Sequence, residues 1–437
     1  MISWKSLEAY SLNRSVAKFC HGSNYWKLFV VRGWFVFNFC VGGFLLMVGL
    51  SVDSLVGWIG GREVVLGGFR TRFRDRGFEV GALLGDLFRF EHVGVVYGPL
   101  GAGKSTFLRL FVGGVEELGG VAGVYINYDG GIVDVLYRGV DAFGVRDSVV
   151  NAVLNVVASP SGTSVGVSVA LGVIVSLMRR LFELVRGWGV DRVVIVHDDL
   201  DRWLASRGLG NAIEGLVGLL SNLYEGGPAG VERPWGDKYS VTYVALSDYT
   251  AVEVVNRYRG KGGLRAMLMW NLPKEPFMDL ILELAGRRDI DIELLWQLLG
   301  GNPRALSQLA TAYGWDVDAW LRDAINEVVG VLNEEKERLG LGSVGEVLDI
   351  VIRRVGQDVG PDNLVLGTPL HVGPLLRNNI LIGMSSTAIS QLPSEPWVGR
   401  HYAYQLPTYY WVVRAMAIRG KVDVKPGDVV SVIRQSI

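Results

Sequence analysis

Cysteine is nearly absent from this sequence, with only Cys20 and Cys40 in 437 residues and no CxxC or Cys/His spacing. That scarcity excludes a disulfide framework and a thiolate zinc site, and it fits a reducing cytoplasm. An excess of charge is missing as well: 43 Lys and Arg stand against 44 Asp and Glu, a formal net charge of −1. No global basicity points to nucleic acid or an anionic surface, so any such patch has to be local. What the chain does have is glycine, 58 residues of it, and apolar residues at 49%. The mean hydropathy of +0.29 directs attention to membrane segments. A chain of this length has room for two or three domains, each with its own core.

One run lacks charge altogether. Gly33–Val52 (GWFVFNFCVGGFLLMVGLSV) has the length of about 20 residues that a membrane-crossing helix needs. It reads either as an uncleaved anchor or as a buried helix or strand pair in a glycine-rich protein. Lys5, Arg14, Lys18, Lys27 and Arg32 precede it, while Arg62, Arg70, Arg72, Arg74 and Arg76 follow, so the flanks do not settle an orientation. A second uncharged stretch, Ser148–Met178, is broken by Pro160 and Gly162 and reads as a strand or loop leading into a buried helix.

From Glu79 onward, short β-branched runs alternate with helical periodicity, the pattern of a parallel sheet with helices on both faces. The candidate strands are His92–Tyr97, Val121–Asn127, Val193–His197, Val241–Leu246 and Ala266–Trp270, each almost continuously apolar, as strands buried on both faces are. A helix with Ile213, Leu216, Leu220 and Leu223 on one side lies between the third and fourth. After Pro273 the strands cease, and Phe277–Leu284, Ile292–Leu299, Pro303–Tyr313 and Val317–Leu339 read as helices of a lid. Val344–Val355, Leu370–Asn378, Ile380–Ile382 and His401–Leu406 then give two helices and a hairpin, a winged-helix-like module. The division expected is an N-terminal extension over 1–64, a core over 65–273, a lid over 274–340 and the module over 341–437.

The chemistry is concentrated in two segments. GPLGAGKS, Gly98–Ser105, follows an apolar strand and opens a helix carrying Phe107, Leu108 and Leu110, the context of a P-loop. Gly98, Gly101 and Gly103 allow backbone N–H groups to turn toward phosphate oxygens, with Pro99, Leu100, Ala102 and Thr106 completing the cradle. Lys104 would reach the β- and γ-phosphates of ATP, and Ser105 would ligate Mg²⁺. The loop itself does not choose between ATP and GTP. The second segment, VVIVHDDLDR, ends an apolar strand in three carboxylates. Asp198 is placed for Mg²⁺, Asp199 to orient and deprotonate the attacking water, and Asp201 behind them.

Three further features are weaker. Ser247 and Asp248 read either as a contact to the γ-phosphate or its water, or as a plain strand cap. GGNPR, Gly300–Arg304, opens a lid helix with Pro303 in its first turn, which lets Arg304 point back at the nucleotide. Arg257 and Arg259 read as a solvated basic loop, the alternative being reach to a neighbour's γ-phosphate.

The order of P-loop, DDLDR box, GGNPR and terminal module resembles the archaeal ATPase families of the AAA+ and STAND group. The resemblance runs over about 68–420 and takes in FRDRGFEVGALLGDL (Phe73–Leu87) upstream. LLRNNILI (Leu375–Ile382) and GRHYAYQLP (Gly399–Pro407) look like those families' final recognition helix and wing. The acidic box is also similar to that of KAP-type NTPases, which carry membrane segments. The second acid is Asp199 where many relatives have Glu, and His197 precedes the pair, so slow hydrolysis is expected. The reading is an ATP-driven molecular switch acting on a protein partner or a second copy of the chain. The alternatives are an ATP-regulated DNA-binding initiator, which the few cations near His371 and Arg377 argue against, and an ATPase tethered to a membrane through 33–52.

Overall fold

The computed structural model describes residues 16–21, 24–31, 34–38, 49–89, 92–118, 120–128, 134–136, 189–206, 212–224, 239–247, 250–251, 254, 264–384 and 387–437. Ser148–Met178, Asp248, Arg257 and Arg259 lie outside these residues.

The N-terminal part is an antiparallel sheet of β1 (Val16–His21), β2 (Asn24–Val31), β3 (Trp34–Asn38) and β4 (Gly49–Ser51), followed by α1 (Val52–Gly60). The described part of the uncharged run Gly33–Val52 therefore supplies two strands and not one spanning helix, which corrects the anchor reading there. The aromatic and β-branched composition of WFVFN favours a pleated surface. Residues 39–48 lie outside the described residues, among which no helix is long and apolar enough to cross a membrane. Next comes a hairpin of β5 (Glu63–Leu66) and β6 (Phe69–Arg72), turned by Gly67 and Gly68 at φ of 56° and 89°. Two consecutive positive φ angles give the two-residue turn whose twist matches the flanking strands.

The core consists of α2 (Gly77–Arg89), β7 (His92–Tyr97), α3 (Lys104–Val115), β8 (Val121–Asn127), β9 (Asp134–Leu136), β10 (Arg192–Asp198), α4 (Leu200–Ala205), α5 (Ala212–Tyr224), β11 (Tyr239–Ala245) and β12 (Leu264–Leu268). The strands lie in the order β12-β7-β11-β10-β8-β9. The first five are the expected parallel strands, and β9 adds an antiparallel edge. Alternation along each strand divides the core between two faces. Val93, Val95 and Tyr97 pack with α4 and α5, whereas Val96 packs with Phe107 and Phe111 of α3 and with α1 and α2. The sheet thus buries both faces, as its continuous apolar runs require.

Helices α6 (Lys274–Ala285), α7 (Ile292–Leu299), α8 (Pro303–Thr311) and α9 (Val317–Leu339) follow. After them come α10 (Val344–Val355), α11 (Pro361–Leu366), α12 (Val372–Arg377), β13 (Leu381–Gly383), β14 (Tyr402–Tyr404), α13 (Pro407–Arg419) and α14 (Pro426–Arg434). The caps were written in the sequence: Asp291, Asn302, Asp316 and Ser343 each accept a hydrogen bond from a backbone N–H of the first turn they open. The four helices of 274–339 and the elements after them share one hydrophobic cluster, in which Trp296, Trp397 and Trp411 meet edge to face.

This C-terminal half is docked on the sheet. The Leu268 N–H of β12 donates to the Thr387 carbonyl at 3.1 Å, and the Ile389 N–H returns a bond to Leu268 at 2.9 Å. The hairpin β13–β14 buries Ile382 and Ala403 against the β7–β12 face. Of the segment compared with a recognition helix, Leu375–Ile382, only Leu375–Arg377 is helical, at the end of the six-residue α12, while Leu381 and Ile382 belong to β13.

Candidate nucleotide-binding site

A cavity of about 910 Å³ opens at the C-terminal ends of β7, β10 and β11, where parallel sheets bind ligands. Strand order explains the assembly: β11 lies between the P-loop strand β7 and the acidic strand β10, so Ser247 after β11 stands between the two motifs. Gly98, Leu100, Gly101, Ala102, Gly103, Lys104, Ser105, Thr106, Asp198, Asp199, Ser247 and Arg304 all line this cavity. Of the P-loop residues Gly98–Thr106, Pro99 is not among its walls. Arg72, Arg74, Arg76, Lys104, Arg202, Arg304 and Arg377 face two carboxylates, Asp198 and Asp199, a balance suited to an anionic ligand.

The P-loop is built by close approach. A Cβ on Gly98 would stand 1.8 Å from the Met269 carbonyl oxygen. Gly101 has φ of 87°, and a Cβ there would meet the Arg304 Cβ at 2.5 Å, so a side chain is excluded by conformation and by contact. Lys104 Nζ donates to the carbonyls of Gly98 and Pro99 at 2.8 and 3.1 Å, which holds the ammonium over the loop.

The loop is gripped from outside at the backbone of Leu100. Its carbonyl accepts from Asn302 Nδ2 at 2.9 Å, and its N–H donates to Gln405 Oε1 at 2.9 Å. Asn302 is 1% exposed and also caps α8 through the Ala305 N–H, so one side chain starts the lid helix and holds the loop. On the inner side Arg76, 3% exposed, donates to the Ala102 carbonyl at 2.5 Å, to the Trp270 carbonyl at 2.9 Å and to Glu79 at 2.8 Å. Glu79 accepts in turn from Ser390 Oγ at 2.6 Å. Charged groups this deep are tolerated because each is paired and hydrogen-bonded.

The acids of the DDLDR box take different places. Asp198 ends β10 and accepts from the Tyr125 hydroxyl at 2.5 Å. Burial, and then the Asp198 charge, push the Tyr125 pKa far up, so the phenol stays a donor. Asp199 has a left-handed backbone with φ of 57°, stands before α4, and has Arg202 at 3.4 Å. Asp201 is turned away from the cavity and accepts from the Ser247 N–H at 2.9 Å, tying the acidic loop to the tip of β11. The Ser247 hydroxyl donates to Thr250 Oγ1 at 2.9 Å. The Arg304 N–H approaches the Gly101 carbonyl at 3.4 Å while its side chain lines the cavity.

His197 lies on the other face of β10, fully buried and stacked on Tyr128, whose hydroxyl is 2.8 Å from Nδ1. It therefore does not line the cavity. Burial depresses its pKa from 6.5 to about 4. Between those values the unfolded chain binds a proton that the native chain refuses, so stability falls as pH falls through this window, by about 3 kcal/mol at most. A urea midpoint that declines from pH 6.5 to 4.5, with a smaller decline in His197→Phe, is expected. Equal pH slopes in both proteins would contradict this reading of His197.

Asn302, Gln405, Arg76, Tyr125 and the hairpin β5–β6 were not assigned roles from sequence. Asn302 had a signal, standing before Pro303 where an N-cap belongs. The hairpin had one too, in VVL-GG-FRTR. It places Val64 and Leu66 on the cavity wall beside Phe73, Leu272 and Leu280, and Arg74 pairs with Glu283 of α6. Gln405 had none, because its partner is a backbone group far away in sequence.

A family model described as an ATPase domain predominantly from Archaea matches residues 73–309, more than half of the chain. One solved structure, the replication initiator DnaA bound to AMPPCP and single-stranded DNA, is similar at 12% identity with a TM-score of 0.31. The alignment covers 69% of this chain and 81% of that one, a likeness too loose to bear on ligand or partner. No curated protein matches by sequence.

Proposed function

The chain belongs to the family of ATPase domains found predominantly in Archaea, and from that membership we propose that it is an ATP-hydrolysing molecular switch. The observation that carries the proposal is the grip on Leu100: the N–H and the carbonyl of one P-loop residue are held by Gln405 of the C-terminal segment and Asn302 of the lid. A change of shape in this loop has to move these two partners or break the hydrogen bonds to them. Nucleotide occupancy is thereby coupled to elements outside the core.

In this proposal the triphosphate lies against the P-loop with Lys104 on its terminal phosphates. The apolar wall of Val64, Leu66, Phe73, Leu272 and Leu280 takes the base. Ser105 and Asp198 line the same cavity and offer the hard oxygen donors that Mg²⁺ prefers, so these two would hold the ion together with the nucleotide. Bound Mg²⁺ would neutralise charge on the phosphates. Asp199 orients water and accepts its proton, and Arg304 reports the phosphates to α8. Residues 65–273 act as the ATPase core, 274–340 as the lid and 341–437 as a winged-helix-like module that passes the change to a protein partner.

Leu272 marks the junction, since its N–H is bonded to the Gly301 carbonyl at 2.9 Å beside the GGNPR turn. Limited proteolysis is expected to differ between ATP-bound and ADP-bound protein around Leu272–Glu275, and Arg304→Ala is expected to erase the difference while keeping most of the affinity. Identical patterns with ATP and ADP in the parental protein would refute the switch.

A further inference from the structure

Arg377 ends α12, in the C-terminal half of the chain, yet its side chain lines the same cavity as Lys104 and Ser105. The backbone that presents it is fixed. The His371 N–H donates to Glu335 at 3.1 Å, Arg338 donates to the Pro369 carbonyl at 2.6 Å, and Asn378 Nδ2 donates to Glu334 at 3.0 Å, so α12 is bound to α9. The guanidinium itself is held loosely. Its ion pair with Glu334 is 3.5 Å long, with the two side chains 52% and 46% exposed. An exposed pair of that kind contributes little, and a phosphate offers a planar guanidinium a stronger, charge-assisted partner. An independent contact places the same segment at the loop: Gln405 holds the Leu100 N–H and also donates to Asn379, which lines the cavity beside Arg377.

We propose that Arg377 is a nucleotide-binding residue, which leaves Glu334 and donates to a phosphate oxygen of the bound triphosphate. The inference rests on reading this cavity as the ATP site. The phosphates are then gripped from two elements beyond the sheet, α8 through Arg304 and α12 through Arg377. Loss of phosphate frees the C-terminal segment from one of its ties to the core.

The test is an equilibrium titration of the intact protein with a fluorescent ATP analogue and Mg²⁺, on the parental chain and on Arg377→Ala and Glu334→Gln. A single charge-assisted contact that is partly open to water corresponds to about a tenfold change in Kd. Arg377→Ala is therefore expected to raise Kd about tenfold, and Glu334→Gln, which frees the guanidinium, to leave it unchanged or lower it. The proposal is overturned if Arg377→Ala binds like the parent. It is equally overturned if Glu334→Gln weakens binding by the same factor, because the ion pair and not the phosphate contact would then matter. Absence of binding by the parental chain would remove the ATP reading itself, and this proposal with it.

Discussion

Lys104→Ala is expected to lower ATP affinity by about a hundredfold or more, which in a titration at micromolar protein reads as loss of binding. The ammonium sits over the loop with the Gly98 and Pro99 carbonyls as partners, in a cavity whose charged lining residues are mostly cationic. Its transfer to phosphate oxygens would exchange neutral acceptors for charged ones. Charge-assisted hydrogen bonds are worth about 1.5–3 kcal/mol each, and two of them account for the expected loss. The fold should survive, because Lys104 lies at the cavity and not in the hydrophobic core. A folded Lys104→Ala protein with parental affinity would place the nucleotide elsewhere.

Asp199→Asn should separate chemistry from binding, leaving ATP affinity within a few fold while turnover falls by about 10²- to 10⁴-fold. The left-handed backbone at this position is one that Asn adopts as readily as Asp, so the exchange removes charge and basicity without new strain. Asp198→Asn is expected to differ, since that carboxylate ends the strand, accepts from Tyr125 and is placed for Mg²⁺. Asp201 is a poor reserve base, as it already holds the Ser247 N–H. Single-turnover hydrolysis under saturating ATP decides the matter. Parental turnover in Asp199→Asn would show that water is activated by another group.

The parts legible in the sequence were those whose evidence is local. A P-loop declares itself by strand, glycines, Lys104 and helix in succession, and the acidic box by four apolar residues running into Asp198. All five parallel strands were readable from continuous apolar runs, within a residue or two of their ends. Their order was not, because hydrophobicity identifies a buried strand without naming its neighbours. The run Gly33–Val52 stayed open between an anchor and a strand pair for a related reason: hydropathy measures apolarity, while the Trp and Phe of WFVFN supply the strand preference that hydropathy ignores. The site's outer grips escaped for a third reason. Gln405 to Leu100 and Arg76 to Ala102 are contacts to backbone groups, and a backbone group has the same appearance in every sequence. Arg377 illustrates the cost of reading by analogy, since a residue compared with a recognition helix lines the P-loop cavity instead.

The central claim is that the cavity behind Gly98–Ser105 is an ATP site, and calorimetric titration of the intact parental protein with ATP, in the presence and absence of Mg²⁺, tests it most directly. One saturable site per chain is predicted, tighter with Mg²⁺ and lost in Lys104→Ala. No saturable binding by the folded protein, or binding that Lys104→Ala leaves intact, would contradict it.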